Sequence, residues 1–197
     1  QEKIHVGTQE HSSQELARKI QNRAARLGGI GLGYVGLTLA AEMAKEGFEV
    51  TGIDIDRNKV DSVNSGISYV LDVPSETLMP LVTQKRIKAT QSLAAIENLD
   101  AVSICVPTPL RKTKEPDLSY VIAAAEAISG HLQPGQLIVV ESTTYPGTTR
   151  ELVLPILEKP GRQVGRHFFL AFSPERVDPG NFTHTTRTIP KIIVGIT

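Results

Sequence analysis

The residues best placed to do chemistry begin with a glycine turn, Gly31-Leu32-Gly33-Tyr34-Val35-Gly36, which fits the pattern G-x-G-x-x-G. Each glycine in that pattern has its own job. Gly31 makes the tight turn, Gly33 lets the backbone approach a pyrophosphate, and Gly36 lets a helix pack on its strand. A helix starting near Val35 aims N–H groups and a positive dipole end at the pyrophosphate. Glycine turns are common, so the motif gains weight only from a strand before it and a helix after it. The second element is Asp54, which ends the next apolar run 18 residues past Gly36. A carboxylate there accepts hydrogen bonds from adenosine ribose hydroxyls and repels a 2′-phosphate, which favours NAD over NADP. Arg57 and Lys59 stand near enough to soften that preference. Alone, Asp54 would read as a solvated strand-end residue; turn, strand and spacing together favour binding.

Other reactive side chains are less telling. Cys105 is the one cysteine, which rules out an intramolecular disulfide, and it lies in the mostly apolar run Ala101–Val106. Such a thiol reads as a small buried hydrophobe rather than a nucleophile. Glu175 could simply pair with Arg176 or Arg187, although a carboxylate at the edge of an α/β sheet can also orient or deprotonate water. The five histidines (His5, His11, His131, His167, His184) show no metal-ligand spacing and read as surface residues, so no metal is expected. Asp54 and Asp56 read as alternating along one strand, pointing to opposite sides, and so form no paired-carboxylate site.

The elements that must hold these residues alternate in type. Residues 1–11 are polar and patternless. Ser12-Ser13-Gln14-Glu15 reads as a capping box starting a short helix with Leu16, Ile20 and Ala24 on one stripe. Strands are expected over Arg26–Gly31, Glu49–Asp54, near Lys88–Thr90, and over Ala101–Val106, Leu137–Glu141, Phe168–Phe172 and Lys191–Ile196. Helices are expected over Val35–Glu46 with Gly47 at its end, over Arg57–Ser65 stopped by Gly66, near Glu76–Gln84, over Asp117–Ser129, and from about Thr148. Apolar strands alternating with helices imply parallel pairing. The expected fold is an α/β, Rossmann-type doubly wound parallel sheet with a short N-terminal helical extension. Residues 1–25 form the extension and 26–197 the dinucleotide-binding domain.

Composition bounds the partners. The chain has 197 residues, 40% of them apolar, so it can bury a core. Lys+Arg and Asp+Glu are both 21, and no basic stripe stands out, which argues against nucleic acid. No apolar export segment and no run of roughly 18 apolar residues occurs, so no membrane partner is expected. A single cysteine suits the cytoplasm, and Asn181-Phe182-Thr183 reads as a chance match to a glycosylation sequon.

A set of longer motifs goes further. The glycine turn is followed by Val106-Pro107-Thr108-Pro109-Leu110, Pro116-Asp117-Leu118-Ser119, Glu141-Ser142-Thr143-Thr144-Tyr145-Pro146-Gly147-Thr148-Thr149, and Phe172-Ser173-Pro174-Glu175-Arg176-Val177-Asp178-Pro179-Gly180-Asn181. Together they resemble the UDP-glucose/GDP-mannose dehydrogenase family, within it most closely the UDP-N-acetyl-hexosamine (UDP-N-acetylglucosamine) 6-dehydrogenases, from about Arg26 to the C-terminus. The resemblance implies a four-electron oxidation of a UDP-sugar at C6, from alcohol to carboxylate, with two NAD used in turn and a cysteine holding the intermediate. It places that cysteine, a lysine and an asparagine in a later domain, so the NAD-binding half alone is expected in this chain. That half is expected to be inactive by itself, and the full-length protein to be a homo-oligomer.

Position by position, the resemblance sets Thr108 against the nicotinamide side, Thr143 near the hydrolytic water, Glu175 as the glutamate assisting thioester hydrolysis, and Lys59 on the adenosine ribose. Val106, Pro107, Ser142 and Thr143 are implied along the cofactor, beside Gly31, Gly33, Tyr34, Val35, Gly36 and Asp54. Three positions depart from the family pattern: Gly29 replaces a strand-forming aliphatic, Thr38 a common proline, and Arg150 an acidic residue. A stand-alone NAD-binding or sensing module, or a truncated paralogue, is the alternative reading. Another Rossmann dehydrogenase, of the 3-hydroxyacid or 6-phosphogluconate type, is disfavoured because Ser-Pro-Glu-Arg-Val and Ser-Thr-Thr-Tyr-Pro-Gly-Thr-Thr have no place there.

Overall fold

Short apolar runs become strands and the amphipathic stretches between them become helices. The computed structural model describes residues 6–112, 114–159, 161–175 and 188–196. Its strands are β1 (Arg26–Ile30), β2 (Glu49–Ile53), β3 (Ile87–Thr90), β4 (Ala101–Ile104), β5 (Leu137–Val140), β6 (Phe169–Phe172) and β7 (Val194–Ile196). They form one sheet in the order β3-β2-β1-β4-β5-β6-β7. The chain order reverses between β1 and β4, and a ligand crevice is expected outside the carboxyl ends of the strands at such a point.

Alternate strand residues feed two cores. Leu27, Val50 and Ile87 pack under α2 (Tyr34–Lys45), α3 (Arg57–Asn64) and α4 (Ser75–Thr83). Ile30, Ile53, Val102 and Ile104 face the other way. There they meet a 3₁₀ turn (Leu93–Asn98), α5 (Ser119–His131) and α6 (Leu154–Glu158).

Three sequence expectations need correcting, and a fourth element forms where expected but with an unexpected first turn. β7 pairs antiparallel with β6, whereas the other five pairings are parallel. A parallel strand needs a crossover, usually a helix, and residues 173–193 contain no apolar run at helical spacing. The first helix, α1 (Val6–Gln21), starts before Ser12, so Ser12 is interior rather than a cap. Its hydroxyl lies over Gly135 of the loop before β5, and Glu15 pairs with Arg18 at 2.7 Å. Tertiary contact has overridden the local capping signal. Asp56 is not on a strand: its side chain caps α3 by accepting from the Asn58 N–H. The helix near Thr148 opens as a π turn over Thr149–Val153 before α6. Pro155 in the first turn of α6 cannot donate to the regular ladder, which accounts for the widened turn.

Gly29 is fully paired within β1. It pairs with Gly52 on one side and Ser103 on the other, in the middle of the sheet. α1 is tied to the same body at the amino-terminal edge. Lys19 Nζ lies 2.7 Å from Asp100 Oδ1, and the Arg26 N–H donates to Asp100 Oδ2 at 2.7 Å. Burial pushes the Asp100 carboxyl up, but Lys19 and Arg26 outweigh it and hold it below the usual range.

Candidate functional site

The glycine turn is built around clearances that only glycine meets. Gly31 has φ +93°, and a Cβ there would stand 2.7 Å from the Cys105 carbonyl oxygen. A Cβ on Gly36 would overlap the Gly31 carbonyl, so this buried glycine sits behind the turn and brings α2 against β1. Gly33, at the N-cap of α2, has no side-chain cap, and a Cβ there would meet nothing within 4 Å. Its open side is the approach a pyrophosphate needs, with the amide edge of the first turn of α2 behind it.

Asp54 holds this turn in place. Its buried carboxylate accepts from the Leu32 N–H at 2.7 Å and from the Asp56 N–H at 2.9 Å. Lys59 Nζ stands 3.5 Å from the same carboxylate. The Tyr69 hydroxyl donates to the Leu32 carbonyl at 2.6 Å, bracing the turn from outside. Burial, then the Asp54 and Asp56 carboxylates, push the Tyr69 phenol up and keep it a donor.

From this turn a cleft of about 810 Å³ runs across the carboxyl ends of the strands. That is within the range of small-molecule and cofactor sites. Gly31, Gly33, Tyr34, Val35, Asp54, Lys59, Val106, Pro107, Thr108, Ser142, Thr143 and Glu175 all line it. Gly36, from the same motif, does not. At the β2 end the wall is completed by Ile55, which is 85% exposed, and by Leu93 of the 3₁₀ turn. These flank the Asp54 carboxylate with apolar surface, the combination an adenosine needs.

The far end is assembled from three segments. The Ser142 hydroxyl is buried and donates to the Val106 carbonyl at 2.7 Å, so it ties the loop after β4 to the end of β5. Thr108 Oγ1 donates to the Thr143 carbonyl at 2.8 Å, a second tie between the same two loops. Glu175 follows β6, with its N–H donating to the Glu141 carbonyl at 3.3 Å. Cys105 is buried beside them, and burial first, then Glu141, raises its thiol, which keeps it protonated. It packs as a small apolar side chain in the cleft wall, as the sequence led us to expect. The rest of the Ser-Pro-Glu-Arg motif from Arg176 to Asn181 lies outside the described residues, as do Arg187, His5 and His184. Among the described residues no group of three or more His, Cys, Asp or Glu is placed to hold a metal. No helix among them is long and apolar enough to cross a membrane.

One pair escaped the sequence reading. Glu141 is 5% exposed, lines the cleft, and its Oε2 lies 2.6 Å from Lys191 Nζ. Burial pushes the Glu141 carboxyl up, Lys191 opposes, and the Glu175 charge adds to the rise. A charged residue directly after the apolar Leu137–Val140 run was the available signal. Its partner, 50 residues away, gave none.

With the geometry in view, the model of the UDP-glucose/GDP-mannose dehydrogenase family, NAD binding domain, matches residues 25–197. The chain belongs to this family. It is 36% identical to the UDP-N-acetyl-D-glucosamine 6-dehydrogenase of Pseudomonas aeruginosa over 169 residues, 85% of this chain and 39% of that protein. It is 31% identical to the UDP-N-acetyl-D-mannosamine dehydrogenase of Pyrococcus horikoshii over 87% of this chain and 41% of that one. The solved NDP-N-acetyl-D-galactosaminuronic acid dehydrogenase of Methanosarcina mazei superposes with a TM-score of 0.80 at 30% identity, over 92% of this chain and 41% of that structure. The chain thus spans about two fifths of the length of these relatives. The nicotinamide cofactor of the family is NAD, and the residues present fit it. A dinucleotide needs an acidic ribose acceptor, an open glycine at a helix start and a continuous cleft, and Asp54, Gly33 and the 810 Å³ cleft supply them.

Proposed function

We propose that this chain is the NAD-binding half of a nucleotide-sugar 6-dehydrogenase that oxidises the C6 hydroxyl of a UDP-sugar, of the UDP-N-acetylhexosamine type, to a carboxylate with two NAD. The observation that carries this reading is the single cleft that joins the glycine turn and Asp54 to Thr143 and Glu175. Asp54 and Lys59 take the adenosine ribose, and the amide edge of α2 takes the pyrophosphate. Val106, Pro107, Thr108 and Ser142 shape the nicotinamide end. When bound there, NAD supplies the hydride acceptor. Glu175 and Thr143, exposed to the same end, are the groups assigned to water: Glu175 as a base and Thr143 as a hydroxyl that orients it. The relatives named above act as UDP-N-acetylhexosamine dehydrogenases, which supports the substrate class, and the single, buried cysteine of this chain supports a cytoplasmic setting. The sugar-binding surface and the oligomer contacts are assigned to the further three fifths seen in the relatives, with a homo-oligomer as the working form.

The test is calorimetric titration with NAD and NADP, on this chain and on Asp54→Ala. The expected result is NAD binding, weaker NADP binding, and in the variant at least a tenfold loss of NAD affinity together with the preference. Absence of NAD binding in the unaltered chain would remove the reading. By itself the chain should produce no steady NADH from a UDP-sugar; sustained turnover would show that the reaction needs nothing further.

A further inference from the structure

We propose that Gln91 reads the six-position amine of the adenine, so that the cleft distinguishes an adenine dinucleotide from its hypoxanthine counterpart. This rests on reading the cleft as a NAD site. The glycine turn follows β1, Asp54 follows β2, and β3 lies next in the sheet. With Asp54 on the adenosine ribose, the base therefore lies on the β3 side, where Ile55, Gln91 and Leu93 form the wall. Ile55 and Leu93 offer apolar surface to the faces of a purine but cannot tell one purine from another. The charged side chains nearby are engaged: Asp54 accepts from the Leu32 and Asp56 N–H groups, Lys59 stands 3.5 Å from Asp54, and Asp56 caps α3.

The backbone on either side of Gln91 is fixed. Thr90 ends β3 opposite Ile53, its carbonyl accepts from the Asp54 N–H at 3.2 Å, and its hydroxyl accepts from the Ser92 N–H at 3.0 Å. The side chain is fixed as well, because Gln91 Nε2 donates to the Ile55 carbonyl at 2.8 Å. A carbonyl can only accept, so this contact decides which way round the amide lies. One N–H and the oxygen of the amide remain for a ligand. That pair matches an adenine edge, where the amine donates and a ring nitrogen accepts. In hypoxanthine a carbonyl oxygen replaces the amine and N1 gains a hydrogen, so donor and acceptor trade places. An untethered glutamine would answer by turning its amide over. Gln91 cannot do so without setting its oxygen against the Ile55 carbonyl. The tie to Ile55 thus turns a side chain able to serve either base into one that serves adenine, and Gln91 acts as a specificity-determining residue for the base.

The experiment measures dissociation constants for NAD and for nicotinamide hypoxanthine dinucleotide by calorimetry, on the unaltered chain and on Gln91→Met. Methionine keeps the length and the apolar stem of glutamine and removes both hydrogen-bonding groups. Gln91 is exposed, so the variant should fold as the unaltered chain does, as read by circular dichroism. The unaltered chain should bind NAD roughly tenfold more tightly than the analogue, and the variant should bring that ratio close to one, chiefly by weakening NAD. A role confined to holding the loop on Ile55 would weaken both dinucleotides alike and leave the ratio fixed, which overturns the proposal. Equal binding of the two by the unaltered chain overturns it as well, and in both cases the cofactor site still stands. Binding of neither dinucleotide by the unaltered chain overturns the cofactor reading along with it.

Discussion

The two ends of the cleft are built in opposite ways. The end assigned to adenosine is local: Gly31 to Gly36, Asp54 and Lys59 fall within 29 residues, and one carboxylate holds the turn. The end assigned to nicotinamide is assembled from loops after three strands, β4, β5 and β6, with Lys191, before β7, bonded to Glu141 behind the wall. A local site depends on backbone clearances, whereas an assembled one depends on side-chain ties that span the sheet. Damage to the first should therefore act through the fold, and damage to the second through geometry and charge.

The largest expected effect tests the local end. Gly36→Ala drives a Cβ into the Gly31 carbonyl, with no flexible side chain to give way. We expect a loss of about 3 kcal/mol in stability, together with NAD binding, by thermal and chemical denaturation. A near-neutral result would mean that α2 slides freely on β1 and that the clearance argument fails. At the assembled end, Thr108→Val removes the tie to the Thr143 carbonyl, at a cost of about 1 kcal/mol. NAD affinity should drop several-fold with little change in secondary structure, as read by circular dichroism; an equally large loss of fold would show that the two ends are one unit.

The pH dependence separates two edges of the sheet. Glu141 is raised in the folded state, chiefly by burial, so its contribution to stability is full below the ordinary glutamate value and is lost as pH climbs through the raised one. Asp100 is lowered, so its contribution is present above the ordinary aspartate value and is lost as pH falls through the lowered one. In melting curves across pH, Glu141→Gln should flatten the decline that comes with rising pH and Asp100→Asn the decline that comes with falling pH. Swapped slopes would refute the assignment. The smallest effect is a gain: Gly29→Ala adds a Cβ that meets nothing within 4 Å, in an ordinary strand, and should stabilise by about 0.5–1 kcal/mol. A loss would mean that the open space beside Gly29 is not free.

What the sequence revealed follows the same division. The glycine turn, Asp54 and the alternation of strands and helices are carried by residues close in sequence, so their physics is legible in a short window. The parallel pairing of β1 to β6 follows from that alternation, whereas their order in the sheet was not legible in it. The antiparallel β7, the 3₁₀ turn at Leu93–Asn98 and the Lys191–Glu141 pair all depend on partners far along the chain. The 3₁₀ turn is held by Gln136, whose buried amide donates to the carbonyls of Ile96 and Leu99 from about forty residues away. Nothing in Leu93–Asn98 announces that support. Ser12 shows the converse: a clear local signal, the capping box, gave way to a contact over Gly135.

Asp54 serves two masters. The carboxylate assigned above to the ribose also accepts the N–H groups of Leu32 and Asp56, and so keeps the glycine turn in shape. Cofactor preference and loop architecture are therefore tied to one side chain and cannot be altered separately. An engineer seeking an NADP-dependent version by replacing Asp54 would unfasten the very loop that must receive the phosphates. Retargeting the cofactor in this scaffold calls for a second change, one that restores two acceptors to Leu32 and Asp56 before any new cation is offered to a 2′-phosphate.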